Sequence, residues 1–260
     1  MYYDLHAHIL PNVDDGPTEI EDALQMAKIS ADNGTKIILA TPHRKDVAEK
    51  SSVSHIKELA NSFNSLLQEN GINLQLLLGM ENHLDLELPE DFSNGKALPI
   101  NNTKYALVEM PFFGHPNYLE EVLFQIQLQG ITPILAHPER IEAVQLNPRL
   151  LVNFVERGML SQVTAGSVVG HFGGNVKKLT LKLLKMGLVH ILASDTHFHT
   201  GPRSPILIEG LQAATSVIGQ KKALAMITTT PKAVLEGNPV ILPQIQIDSP
   251  KQSWWKMWNR

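Results

Sequence analysis

Cysteine is absent from all 260 residues. Disulfides, thiolate metal sites and every mechanism built on a cysteine nucleophile are thereby excluded. No apolar run approaches the roughly 18 residues that a membrane-spanning helix needs, and the chain opens on a short strand rather than on a signal segment, so a cytoplasmic location is expected. Positive charge is not in excess: 22 Lys and Arg face 26 Asp and Glu, for a formal charge of -4. With no global basic surface, nucleic acid is not an expected partner, and any recognition of an anion must be local. The glycine-rich turn that would bind a dinucleotide after the first strand is missing. Aromatic residues make up only 6% of the chain, and all three tryptophans fall in the last seven residues.

What the sequence does contain is a core-forming composition, 43% hydrophobic and 18% charged, suited to one globular domain. A unit of apolar strand, polar loop, amphipathic helix and glycine recurs along it. Strands are predicted over 3–7, 37–41, 74–78, 105–109, 133–136, 161–164 and 190–193, seven in all. Helix stops are predicted at Asn33-Gly34, Asn70-Gly71, Gly130, Gly158 and Gly187, each leading back into an apolar run. Thr18 with Glu21 three residues later reads as a capping box. Alternating strands and helices predict an α/β fold with a parallel sheet, closed or nearly closed into a barrel, with an open doubly wound sheet as the alternative. From Leu242 the pattern stops. The chain is divided into a domain over 1–243 and a linker with a Trp-rich tail over 244–260, the tail being either a docking segment or a helix end packed on the domain.

The first strand carries His6-Ala7-His8. Side chains two apart on a strand share a face, so two imidazoles can meet one cation, with Asp4 behind them as a supporting partner. Downstream, the C-terminal end of one strand after another bears a residue able to bind a hard or borderline cation: Asp14-Asp15 before Gly16, then His43, Glu81, Glu109, His137, Asp195 and His197. In parallel barrels those ends form the active face. Acids directly after apolar strands are unfavourable to bury unpaired, and metal ligation satisfies them together. Individually, Asp15-Gly16-Pro17 could be only a turn, and His137 or Arg140 could pair with Glu139. His55, His171 and His190 read as structural, while His83, His115 and His199 lie near the active end without a spacing argument.

The run from Asp4-Leu5-His6-Ala7-His8 to Asp15-Gly16, with Thr41-Pro42-His43, Gly79-Met80-Glu81, Glu109-Met110-Pro111-Phe112, Ala136-His137-Pro138-Glu139-Arg140 and Ala193-Ser194-Asp195-Thr196-His197, resembles the polymerase and histidinol phosphatase (PHP) superfamily. Within it these motifs are most similar to the manganese-dependent protein tyrosine phosphatases of bacterial capsule and exopolysaccharide operons. The likeness extends from the first residue to about Pro239. It implies a distorted seven-stranded (β/α) barrel of PHP type holding two to three divalent ions, most often Mn2+, with iron or zinc as alternatives. On that resemblance His6, His8, Glu81 and Asp195 match one metal position, and Glu81, Glu109 and His137 a second, with Glu81 bridging. Asp15, His43 and His197 match a third, Asp15 being preferred to Asp14 because it directly precedes the glycine. Arg140 matches a phosphate-binding arginine. Arg203 is the candidate for a second, although the loop over 198–202 is one residue longer than the family spacing.

Clustered divalent cations bring the pKa of bound water toward neutrality, and an oxygen- and imidazole-rich set tilts toward manganese. Three dications against four carboxylates and a bridging hydroxide leave a small positive charge for a phosphate dianion, to which Arg140 adds a planar fork. A phenolate leaving group, with a pKa of about 10, needs less protonation than an alkoxide, so tyrosyl phosphate is well matched. The expected partner is a phosphotyrosine protein, a bacterial tyrosine kinase of the polysaccharide machinery, with the tail offering a membrane or partner contact. The rivals are a PHP-type phosphatase of a small phosphomonoester such as histidinol phosphate and a non-catalytic kinase-docking scaffold. A metal-dependent amidohydrolase fits less well, because a glutamate stands where that chemistry commonly uses a modified lysine.

Overall fold

Strands covered on both faces by helices carry apolar residues on both faces, and the strands here do so. A computed structural model describes residues 1–246; the tryptophans of the predicted tail lie outside the described residues. The strands are β1 (Tyr2–Ala7), β2 (Thr35–Ala40), β3 (Gln75–Leu78), β4 (Glu81–His83), β5 (Tyr105–Glu109), β6 (Thr132–Ala136), β7 (Leu160–Thr164) and β8 (Ile191–Ala193). All pair in parallel, β1-β2-β3 in one sheet and β4-β5-β6-β7-β8 in the other. Among the helices between them are α1 (Ile20–Asp32), α2 (Arg44–Lys50) and α3 (Val53–Glu69).

Two sequence expectations are corrected. Eight strands form among the described residues, in two sheets, where seven in one sheet were expected. The additional strand is β4, three residues reading Glu81-Asn82-His83, whose polar side chains carry no apolar signal; it starts directly after the Gly79-Met80 step that ends β3. The predicted capping box does not form either. Helix α1 begins at Ile20 with Glu19 as its N-cap and no side-chain cap bond, so Glu21 falls one position too early to reach back. The five predicted helix stops all occur at glycines of positive φ.

The two sheets share an interior. Tyr3 and Leu5 of β1, Leu39 of β2, Leu107 of β5, Ile134 of β6, Leu160 of β7 and Ile191 of β8 form one buried cluster. Their strand neighbours face outward: Ile38 and Ala40 pack in the cluster that includes α1 and α3, while Ala106, Val108, Leu135 and Leu192 pack in the larger outer cluster. Single bridges join the sheets at their edges, Ala7 to Thr196 and His43 to Glu81. The interior is stoppered at the strand N-termini by Val234 and Leu235, and the Tyr3 N–H donates to Ile227 O at 2.9 Å. Beyond it Leu242 and Ile245 pack on the core, and Gln246 N–H donates to Met186 O at 2.8 Å. No helix among the described residues is long and apolar enough to cross a membrane.

Candidate metal centre

His6, on β1, and His8, directly after it, are buried side by side, and each ring is oriented from behind. His6 Nδ1 lies 2.8 Å from Gln162 Oε1, and His8 Nδ1 lies 2.6 Å from Asp14 Oδ2. With Nδ1 donating to those oxygens, both Nε2 atoms carry lone pairs. These nitrogens sit 3.1 Å apart and 3.3 and 3.2 Å from Glu81 Oε2. Two lone pairs and a carboxylate oxygen so placed repel one another unless a positive charge, a proton or a metal ion, stands among them. The donor set, oxygen and imidazole without sulfur, fits a hard or borderline divalent metal ion. Asp4 does not support either ring as expected; its Oδ1 accepts the backbone N–H groups of Ser194 at 3.0 Å and His6 at 3.4 Å, tying β1 to the end of β8.

The strand ends supply the rest. His137 follows β6 at φ 31° and Asp195 follows β8 at φ 53°, left-handed conformations that strain a non-glycine residue by about 1–3 kcal/mol and concentrate at functional sites. His137 Nε2 lies 2.8 Å from Glu81 Oε1 and 3.5 Å from Glu109 Oε1, while Asp195 Oδ1 lies 3.5 Å from His6 Nε2. His43 Nδ1 is 3.2 Å from Glu81 Oε2, and Asp15 Oδ1 is 3.5 Å from His43 Nε2 and 3.0 Å from His197 Nε2. His197 Nδ1 is turned to Asp195 O at 3.0 Å. Three sets have ligand atoms within 4.8 Å of one another: His8, Asp15, His43 and His197; His6, His8 and Glu81; and His43, Glu81 and Glu109. Glu81 faces four histidines, one oxygen toward each side, which is the geometry of a bridging carboxylate. All nine predicted ligand residues thus converge on one centre. Gly16 is required beside it, because a Cβ there would stand 2.5 Å from His8 O.

Both predicted arginines reach the same cleft, a 330 Å³ opening that Glu81, Glu109 and Phe112 also line. Arg140 donates to Asp195 Oδ2 at 2.7 Å. Arg203 donates to Asp15 Oδ2 at 3.1 Å and lies beside His197 Nε2 and, at 3.5 Å, Asp195 Oδ1. The longer loop closes on itself, with the His197 and Phe198 N–H groups both donating to Arg203 O, and this turn returns the arginine to the centre.

Burial works against charge throughout the site, and local partners override it at His8 and Asp195 but not at His197. Burial would lower the pKa of His8, yet the charge and hydrogen bond of Asp14 push it up to about 10. Burial would raise Asp195, and the charges of His6 and His137 hold it well below the usual carboxylate range. For His197 burial and the neighbouring His8 prevail, bringing it down to about 4. The field therefore favours positive charge at the centre and ionised carboxylates around it. Sequence reasoning missed four residues here. Asp14 was passed over for its neighbour, Gln162 is one of three polar residues on β7, His83 meets Glu109 at 3.4 Å from a strand that carries no apolar signal, and the buried Arg44, paired with Asp85 and Asp91, opens a helix.

The profile for CpsB/CapC, capsular polysaccharide synthesis, matches residues 2–236. The tyrosine-protein phosphatase YwqE of Bacillus subtilis (strain 168) is 38% identical over 203 residues, 76% of this chain and 80% of its own. The tyrosine-protein phosphatase CpsB of Streptococcus pneumoniae is 27% identical over 237 residues, 89% of this chain and 97% of its own. A crystal structure from the pair YwqE of B. subtilis and CpsB of S. pneumoniae, described as unique metal-dependent tyrosine phosphatases, superposes with a TM-score of 0.88 at 34% identity. It covers 94% of this chain and 99% of the other.

Proposed function

The chain belongs to the CpsB/CapC family of capsular polysaccharide synthesis, and from that premise we propose that it is a metal-dependent protein tyrosine phosphatase acting on a tyrosine kinase of the polysaccharide machinery. One observation carries the reading: Glu81 stands between four histidines, with the two arginines at the mouth of the same cleft. His6, His8, Asp15, His43, Glu81, Glu109, His137, Asp195 and His197 would hold two to three divalent ions, Mn2+ first, with Glu81 placed to serve more than one of them. When bound, such ions supply an activated water nucleophile and neutralise charge on the phosphate oxygens. Gln162 and Asp14 keep the imidazoles of His6 and His8 turned inward. Arg140 and Arg203 bind the phosphate dianion through planar forks, and the cleft needs no strong acid opposite them because a phenolate leaves readily.

The fold supporting this site is read as a distorted barrel of PHP type, which the shared interior and the two edge bridges favour. The remaining assignments are a cytoplasmic location, a phosphatase domain over 1–243, and a tail over 244–260 that contacts the kinase or an anionic membrane. The deciding measurement is hydrolysis of a phosphotyrosine peptide with and without added Mn2+, beside histidinol phosphate. Manganese-dependent hydrolysis of the peptide at the higher kcat/KM is the expected result. A preference for the small ester would reassign the substrate, and no turnover of either would leave a scaffold.

A further inference from the structure

Three of the site's imidazoles have an oxygen behind the ring: Gln162 for His6, Asp14 for His8, and the Asp195 carbonyl for His197. His137 has none, since its buried Nδ1 lacks a hydrogen-bond partner among the described residues. Its ring is instead stacked on Phe112, with centroids 5.4 Å apart and planes 15° from parallel. The same Phe112 ring lies under the Arg140 guanidinium, 5.1 Å from Cζ, and Phe172 lies 4.5 Å from that Cζ. Both phenyl seats are built. The Phe112 carbonyl accepts the Glu142 N–H at 3.0 Å, fixing the loop after β5, and a Cβ on Gly166 would come within 2.8 Å of the Phe172 ring.

We propose that Phe112 is a positioning residue that holds the His137 imidazole and the Arg140 guanidinium in one stack, with Phe172 as the second ring on the arginine. The proposal rests on the phosphatase reading for the phosphate that Arg140 meets, but its bearing on His137 is a matter of metal binding alone. A flat phenyl face can do for an imidazole what a hydrogen-bonded oxygen does elsewhere, fixing the ring plane while leaving Nε2 directed at Glu81. For a guanidinium the face is also an electrostatic partner, held in a plane from which both forks can serve one anion.

The test compares Phe112→Leu, which keeps volume and removes the face, with Phe112→Tyr, which keeps the face, in Mn2+-loaded protein. The readouts are the inhibition constant of inorganic phosphate, the Mn2+ affinity, and kcat and KM on a phosphotyrosine peptide. Phe112→Leu is expected to weaken phosphate binding by about 2- to 30-fold, the range of one cation–π contact. It should also weaken Mn2+ binding several-fold, and Phe112→Tyr should restore both. Phe172→Leu should weaken phosphate and leave Mn2+ affinity at the wild-type value, and it carries the phosphate arm if Phe112→Leu does not fold. Phosphate and Mn2+ affinities in Phe112→Leu equal to those of wild type would overturn the proposal, as would equal losses in the Leu and Tyr variants. Should wild type neither bind phosphate nor hydrolyse the peptide, the phosphatase reading fails, while the Mn2+ arm still judges the stack on His137.

Discussion

Glu81 is buried among four imidazoles and emerges from a strand only three residues long. Replacing it with alanine removes an oxygen from each side of the centre at once. At least one ion per chain should be lost by elemental analysis, and activity should fall by more than the roughly 10–100-fold typical of residues that merely orient a ligand. Asp14→Asn should stay within that smaller range, since it weakens the hold on His8 without removing a ligand. Arg140→Ala and Arg203→Ala should each lower kcat/KM by about 10- to 1000-fold at unchanged metal content, with poor rescue by lysine. Wild-type kinetics for Arg203→Ala would confine phosphate binding to Arg140. The nine residues that converge on the cleft could be read from the sequence because acids and histidines after apolar strands stand out against their surroundings. Asp14 and Gln162 could not, because a polar residue that supports another ligand has no spacing of its own and is defined only by the ring it touches.

At the scale of elements, the strands read from apolar runs formed, and β4 escaped because its residues are polar, Glu81 and His83 facing the site and Asn82 bonding to backbone carbonyls. The capping signal at Thr18 failed for a related reason: Pro17 and the loop before it are committed to the turn that brings Asp14 and Asp15 to the histidines, with Asn12 N–H donating to Pro17 O at 2.8 Å. The junction of β7 and β8 carries a pH prediction. His190 is buried where the Ser161 N–H donates to its Nδ1 at 3.0 Å, and burial brings its pKa down to about 4 from 6.5. The folded chain keeps the ring neutral, whereas the unfolded chain takes up a proton near 6.5. Its contribution is therefore complete above pH 6.5 and is lost as pH falls toward 4, by up to about 3 kcal/mol. In His190→Gln the amide oxygen can still accept from Ser161, so urea unfolding should show a flatter decline between pH 7 and 4.5 than wild type. Equal slopes would mean that His190 is protonated in the fold.

For the molecule as a whole, the proposed ligands come from both sheets, so bound ions would link the two halves as well as arm the cleft. Ions that bind the folded chain at about 100 times their dissociation constant add about 2.7 kcal/mol. For a domain of this size, chelation should then lower Tm by about 5–10 °C, and added Mn2+ should reverse the fall. A chelator-insensitive Tm with loss of activity would mean that the sheets are joined by their packing alone. Truncation after Gln246 tests the tail, since Leu242 and Ile245 still pack on the core and Gln246 still bonds to Met186. Hydrolysis of a small phosphoester should persist, while action on a kinase or attachment to anionic vesicles weakens.

The seam between β1 and the end of β8 bears on how the protein is made. The site's first ligands lie on β1, but the strand is fastened by residues far along the chain: Asp4 takes the N–H of Ser194, 190 residues later, and the Asp195 N–H donates to His6 O. At about 5–20 residues per second, a ribosome needs roughly 10–40 s to span that interval. His6 and His8 therefore leave the exit tunnel long before Gln162, which aims His6, and before the residues that fasten their strand, and the nascent chain has no finished pocket with which to choose a metal. The choice falls to the completed polypeptide and the free ion concentrations it meets, so the metal present during synthesis need not be the one the mature protein keeps.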